Sequence, residues 1–311
     1  MRTRIISVIA LLTVIVIALL SSVIIITMHQ SVEPKRRYEV GNEVLNTGGV
    51  SDAQRYFTEQ VRQHGDPYVL FGTAWTEYLA GNYEAARGTC HYLLAQSDSP
   101  RVRANCHYLL GHIGIARCRS KEAYQHFDNA HGVYRKLGDN KNLFKTTLGL
   151  ANAAILGNDD TGAEAFLDQA LVLNGQVNAA LDYYYVLRKK IAASRSQYAR
   201  AFHFSQKAYT VYRRDNRRPG MVSALNNMAM YALLSHRTDE ALGYLEEAAT
   251  MPALAESNVE RKHHKLCWLL YRRCKGLPYE SLKKELMIWA NGEPQESFRE
   301  SLTLVLNFPC H

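Results

Sequence analysis

An alanine recurs along this chain at a nearly constant interval, and that recurrence constrains the fold more than any other feature. Ala53, Ala86, Ala123, Ala163, Ala201 and Ala241 are spaced 33, 37, 40, 38 and 40 residues apart. Four residues after each come Phe57, Cys90, Phe127, Leu167, Ser205 and Leu245. Three further on come Gln60, Leu93, Ala130, Ala170, Ala208 and Ala248. Positions i, i+4 and i+7 share one face of an α-helix. The small residue at the head of that face lets a neighbouring helix approach, and the larger one fills the space beside it. A period of roughly 20–50 residues marks stacked supersecondary units.

A second series precedes the first by twelve residues: Gly41, Ala74, Gly111, Ala151, Lys189 and Ala229. Each unit therefore holds two helices, each with its own contact residue. Breakers such as Gly48-Gly49, Gly81-Asn82 and Gly157-Asn158 fall between them. Pro34, Pro67 and Pro100 are 33 apart, as are Pro219 and Pro252. The fifth pair departs from the pattern, with Lys189 where a small residue is expected and Ser205 where a large one is.

The stretch Gly81-Asn82-Tyr83-Glu84-Ala85-Ala86 resembles the turn and second-helix start of the tetratricopeptide repeat. So does the run from Ala224 through Thr238-Asp239-Glu240-Ala241 to Leu245 and Ala248. Trp268, Leu269, Gly276, Tyr279, Leu282 and Leu286 read as a degenerate seventh unit. The resemblance implies an all-α chain: a right-handed superhelical solenoid of about seven helix-turn-helix repeats over 38–292. Residues 293–311 are expected to form a capping helix and tail.

That family uses the face lined by its first helices to hold protein or peptide segments. Projected onto that face, the expected groove residues begin with Tyr38, Asn42, Tyr68, Trp75 and Tyr78. Asn105, Tyr108, His112, Lys145, Asn152 and Tyr183 continue it, and Lys190, Asn226, Asn227 and His263 complete it. Tyrosine and tryptophan offer rigid apolar area with a polar tip. Asparagine amides can bond an extended main chain. The carboxylate clamp of some tetratricopeptide domains is not expected. Asn152 could serve it, but Leu148, Leu187, Ser223 and Asn227 stand where its other residues belong.

Before the repeats, residues 5–28 contain no charged side chain. A helix of that length spans about 36 Å, more than a hydrocarbon core of about 30 Å. No small-residue cleavage site follows. The sequence thus predicts a tail at 1–4, a transmembrane helix at 5–28 and a basic linker at 29–37. Arg2 and Arg4 adjoin the span, whereas Lys35, Arg36 and Arg37 lie further off. That charge placement favours a single-pass protein of a bacterial inner membrane with an exoplasmic, periplasmic body.

The chain of 311 residues has ordinary globular composition, with 47 % apolar residues and a net charge of +8. Its six cysteines are too few and too scattered for a disulfide scaffold. Cys267 and Cys274 lie seven apart on one helix face and cannot bridge each other. Twelve histidines suggest metal, yet no set of four ligands is evident. No phosphate-loop, dinucleotide, nucleophile-elbow or zinc-protease motif occurs. The expectation is a membrane-anchored, non-catalytic scaffold for assembly of an envelope or secretion complex, with no cofactor, no metal and no small-molecule substrate. A receptor for a small peptide signal is the alternative.

Charge adds one more candidate. Between Val186 and Gly220 ten basic residues face one acid, Asp215. Arg188, Lys189, Lys190, Arg213, Arg214, Arg217 and Arg218 form the expected basic patch, suited to an acidic protein partner. Anionic lipid headgroups are the other target. Nucleic-acid binding through this basic repeat is a further alternative, open only to a cytoplasmic body and so not expected with an exoplasmic one.

Overall fold

The computed structural model describes residues 33–45, 47, 49–292 and 296–310, and the ordered elements among them are α-helices. Helix α1 covers 33–45. It is followed by α2 (Val50–Gln63), α3 (Pro67–Leu79), α4 (Tyr83–Gln96), α5 (Pro100–Ala116) and α6 (Ser120–Lys136). Then come α7 (Asn140–Leu156), α8 (Asp160–Val177), α9 (Asp182–Ser194), α10 (Tyr198–Arg214) and α11 (Arg218–Leu234). The last are α12 (Thr238–Ala249), α13 (Pro252–Glu256), α14 (Asn258–Cys274), α15 (Glu280–Gly292) and α16 (Glu296–Asn307).

The periodic prolines have a local cause. Pro67 and Pro100 open α3 and α5, and Pro219 stands at the second position of α11. There the missing N–H costs nothing and the fixed φ suits the helix. Side chains cap the same ends: Asp66 accepts from the Tyr68 and Val69 amides, and Ser99 from that of Val102. Pro252 breaks the series, opening the extra turn α13.

The turns repeat too. Gly81, Cys118, Asn158, Ser196 and His236 all have φ between 54° and 85°. Each lies five residues before a periodic alanine. The next residue donates its N–H to a carbonyl five back: Asn82 to Glu77, Arg119 to Gly114, Asp159 to Ala154, Gln197 to Ala192, Arg237 to Ala232. This closure satisfies carbonyls that the helix end leaves unpaired.

Two compact units divide after Gly149, inside α7. In the first, each aromatic at the alanine-plus-four position lies between two glycines. A Cβ added at Gly41 or Gly72 would come within 2.1 or 2.2 Å of the Phe57 ring. At Gly111 or Gly149 it would come within 2.7 or 2.6 Å of Phe127. The glycines are small because the ring occupies the space. Ala53, Ala86 and Ala123 are fully buried behind them.

In the second unit Ala163, Ala201 and Ala241 are again fully buried, with Leu167 and Leu245 beside them. Its core gathers residues of α11, α14, α15 and α16. Cys274, at the end of α14, is disulfide-bonded to Cys310. A pairing of a helix end with the C-terminal tail carries no spacing signal, so the sequence reading missed it.

Two expectations need correction. The membrane localisation is overturned: among the described residues no helix is long and apolar enough to cross a membrane. The segment 5–28, on which the span was placed, lies outside the described residues. The basic linker is also revised. The chain is helical from residue 33, and Arg37 pairs with the α3 cap Asp66 at 3.0 Å. The arginine that looked like a linker charge anchors the first helix pair.

Candidate functional site: the first-helix faces

In the first unit, α3 and α5 bring aromatic side chains together. Trp75 stacks on Tyr108, with ring centres 6.2 Å apart at 12°. His112 meets Tyr108 edge-on at 4.6 Å and Phe127 at 5.2 Å. Tyr78 lies 6.0 Å from His112. Burial, aided by the Lys145 charge, pushes the His112 pKa down to about 4. The ring is thus neutral at physiological pH, and its Nε2 has no hydrogen-bond partner among the described residues.

Other expected groove residues serve packing. Tyr38 lies between Phe57 and Phe71, at 6.2 and 5.7 Å, and its hydroxyl bonds Asn42. Tyr68 packs against the α3–α5 core. Asn105 accepts a hydrogen bond from the buried Tyr134 hydroxyl. Lys145 is exposed.

The second unit has a different surface. Asn152 on α7 donates to the Tyr183 hydroxyl at 2.8 Å and accepts from Lys190 Nζ at 3.1 Å. Lys189 Nζ donates to Asn227 Oδ1 on α11 at 3.0 Å. Each lysine bond spans 38 residues, one repeat. The amides and ammoniums thus link α7 to α9 and α9 to α11. Burial, then the neighbouring Lys190, lowers the Lys189 pKa to about 8. Burial also lowers that of Lys190.

Asn226, expected on this face, is 0 % exposed. Its amide nitrogen donates to Glu260 Oε2 at 3.2 Å, and its Oδ1 accepts from His264 Nδ1 at 2.8 Å. The other His264 nitrogen accepts from Trp268 Nε1 at 2.9 Å. One residue's difference in register separates this buried connector from Asn227. His263 is partly exposed beside Lys189, and burial pushes its pKa down to about 4.

The basic patch does not stand as one free surface. Arg188 pairs with Asp168, and Arg195 with Asp160 and Glu164. Arg217 pairs with Asp182 at 3.0 Å and lies 4.8 Å above the Tyr212 ring. Arg214 holds Asp215 at 2.8 Å. Several partners lie on other helices, outside the window in which the sequence showed only Asp215. Among the described residues Arg213 and Arg218 have no ion pair, and Lys189 and Lys190 have only amide oxygens.

Sequence reasoning missed a cavity of about 430 Å³ in the second unit, between α11, α14 and α16. Met230, Leu234, Leu266, Phe298 and Leu304 form its apolar wall, and Asn227, Lys262 and His263 its polar edge. No repeat rule applies to the helix that closes it. Among the described residues no three metal-ligating side chains converge.

No protein-family model matches the sequence, and no curated protein matches it. Among solved structures, a Rap protein complexed with competence and sporulation factor matches 89 % of this chain and 96 % of its own, with TM-score 0.61 at 12 % identity. A tetratricopeptide repeat protein from Parabacteroides merdae matches 88 % and 99 %, with TM-score 0.52 at 12 % identity. A signal transduction ATPase with numerous domains and a tetratricopeptide repeat sensor, from Pyrococcus horikoshii, matches over 88 % of this chain but 44 % of its own, with TM-score 0.60 at 13 % identity. Likeness at such identities is one of fold: the chain has a tetratricopeptide-like helical repeat fold.

Proposed function

We propose that this chain, built of tetratricopeptide-like hairpins, is a non-catalytic scaffold that holds an extended protein or peptide segment on its first-helix faces. The observation that carries this reading is the Asn152–Lys190 and Lys189–Asn227 ladder. Conjugate hydrogen bonds one repeat apart preset polar groups on successive helices, and a linear ligand running across them can bond each in turn. The aromatic cluster of the first unit is, by itself, a second candidate surface of another kind, rigid area at low entropic cost. The Rap protein of similar fold, complexed with competence and sporulation factor, supports the reading. Nucleic acid is disfavoured, because most arginines of the basic run are already answered by carboxylates.

The full chain would be tested against an array of short synthetic peptides of varied charge and aromatic content. Lys190→Glu and Trp75→Ala should each reduce binding with helical circular dichroism unchanged. Tyr92→Ser, on the exposed side of α4, should not. Equal loss in Tyr92→Ser, or no binding to any peptide, would overturn the reading.

A further inference from the structure

We infer that the cavity closed by α16 is an anchor pocket for one bulky apolar side chain of the bound segment, and that Lys189 receives a carboxylate beside that side chain. This rests on the scaffold reading and specifies its ligand: an acidic segment with an aromatic or large aliphatic residue next to the acid.

The volume, about 430 Å³, lies in the range of roughly 300–1,000 Å³ typical of ligand pockets. Its walls leave apolar surface in water that a folded chain would otherwise bury. Leu304 of α16 is 46 % exposed and Val259 of α14 is 73 % exposed, and both line the cavity. Burying a side chain there removes that area from water together with the ligand's own.

Charge then selects the ligand. Asn227 lines the cavity and is also the acceptor of the Lys189 ammonium, 3.0 Å away. The amine does not itself line the cavity: it lies one hydrogen bond beyond Asn227, which borders both this cavity and the small one that Lys189 lines. Among the described residues, neither Lys189 nor Lys190 has a carboxylate partner. Glu260, the acid whose field reaches Lys189, is engaged by the Asn226 amide at 3.2 Å. Lys189 thus holds its charge in a half-buried place against a neutral oxygen alone. A ligand carboxylate converts a neutral-acceptor bond into a charge-assisted one, which is about twice as strong. It acts where surrounding protein reduces screening. Lys262, on the other edge, lies over the Trp289 and Phe298 rings at 5.7 and 6.0 Å. The ladder of Asn227, Lys190 and Asn152 leads away from the pocket across successive first helices. That favours a peptide backbone over an isolated acyl chain.

The test uses fluorescence anisotropy of the full chain with four labelled, capped decapeptides that differ only at two central positions: Asp-Phe, Asn-Phe, Asp-Ala and Lys-Phe. The Asp-Phe peptide should bind. Asn-Phe should bind about tenfold more weakly, the scale of one hydrogen bond to a charged group, and Lys-Phe more weakly still. Asp-Ala should bind about tenfold more weakly for the lost apolar burial. Lys189→Met should make Asp-Phe and Asn-Phe equal. Leu304→Trp, at an exposed position that tolerates bulk, should abolish the advantage of Phe over Ala while leaving Asp over Asn. Circular dichroism checks that both variants fold. If the peptides bind but Lys189→Met keeps the preference for Asp, or Leu304→Trp keeps that for Phe, the pocket assignment fails and the scaffold reading stands. If no decapeptide binds while dodecanoate does, both fail, because the cavity then belongs to a free acyl chain.

Discussion

The α5–α6 hairpin of the first unit and the α9–α10 hairpin of the second occupy the same place in the repeat, and they solve its packing in opposite ways. Phe127 on α6 fills the gap between Gly111 and Gly149. At the corresponding positions of α9 and α10 stand Lys189 and Ser205. Both line one small cavity of about 50 Å³. The first arrangement buries an aromatic ring between two glycines and places no charged group at the contact. The second gives up that burial and places an ammonium within reach of Asn227. The comparison teaches that the hairpin needs complementary volumes at these two positions and not particular residues. A repeat can therefore exchange packing energy for a functional group without losing its shape.

The largest effect should come from emptying the aromatic site. Phe127→Ala should cost about 3–5 kcal/mol, for lost burial plus a cavity. Ser205→Ala should cost under about 1 kcal/mol, because its hydroxyl only bonds the Ala201 carbonyl in the same helix at 2.9 Å. Denaturant unfolding measures both, and equal costs would break the comparison. Gly111→Ala comes next. It places a Cβ 2.7 Å from the Phe127 ring, an overpacking of about 1–3 kcal/mol. Combining it with Phe127→Leu should recover part of the loss.

Acid should weaken both units through buried rings. The pKa values of His112 in the first and His264 in the second are each lowered to about 4 by burial, against an ordinary value near ~6.5. The unfolded chain therefore takes up protons that the folded chain refuses. Stability from these rings is whole above about pH 6.5 and falls as the pH drops toward 4. The loss should be roughly 1 kcal/mol per ring, discounted for contact with water. Melting curves across that window should flatten in His112→Phe. A slope that rises toward acid would contradict the assignment.

The smallest effect should be a gain. Cys118, Ser196 and His236 hold φ of 56°, 54° and 58°, where a Cβ crowds the following carbonyl. Changing any of them to glycine should raise stability by up to about 1 kcal/mol, less the entropy that glycine adds to the unfolded chain. Similar gains in both units would show that the turn is common ground and that the contrast resides in the helix faces.

The repeat phase was legible because it rests on local chemistry. Proline at helix starts and small residues at fixed helical spacing leave a period that a single sequence displays. The groove was legible only in part. Trp75, Tyr108 and His112 do meet, and Asn152 reaches Lys190. Asn226 and Asn227 look equivalent in sequence, yet a rotation of about 100° per residue buries one and leaves the other partly exposed. The basic run looked like a patch although Asp182 was a candidate to neutralise it from the adjacent unit, and it does pair with Arg217; Asp168, which pairs with Arg188, gave no such signal.

By itself the sequence determined the paired helices, their order, their turns and the faces on which they meet, since these depend on residues within one or two turns of each other or one repeat apart. The tertiary structure alone decided the disulfide between Cys274 and Cys310, the neutralised arginines, and the cavity under α16. Each depends on which distant side chains the stacking brings within a few ångströms. The physical reason is range. Helix geometry carries a local pattern forward at a fixed rise per residue, whereas a salt bridge or a void is fixed by the summed rotations of several packed helices, which no local period encodes.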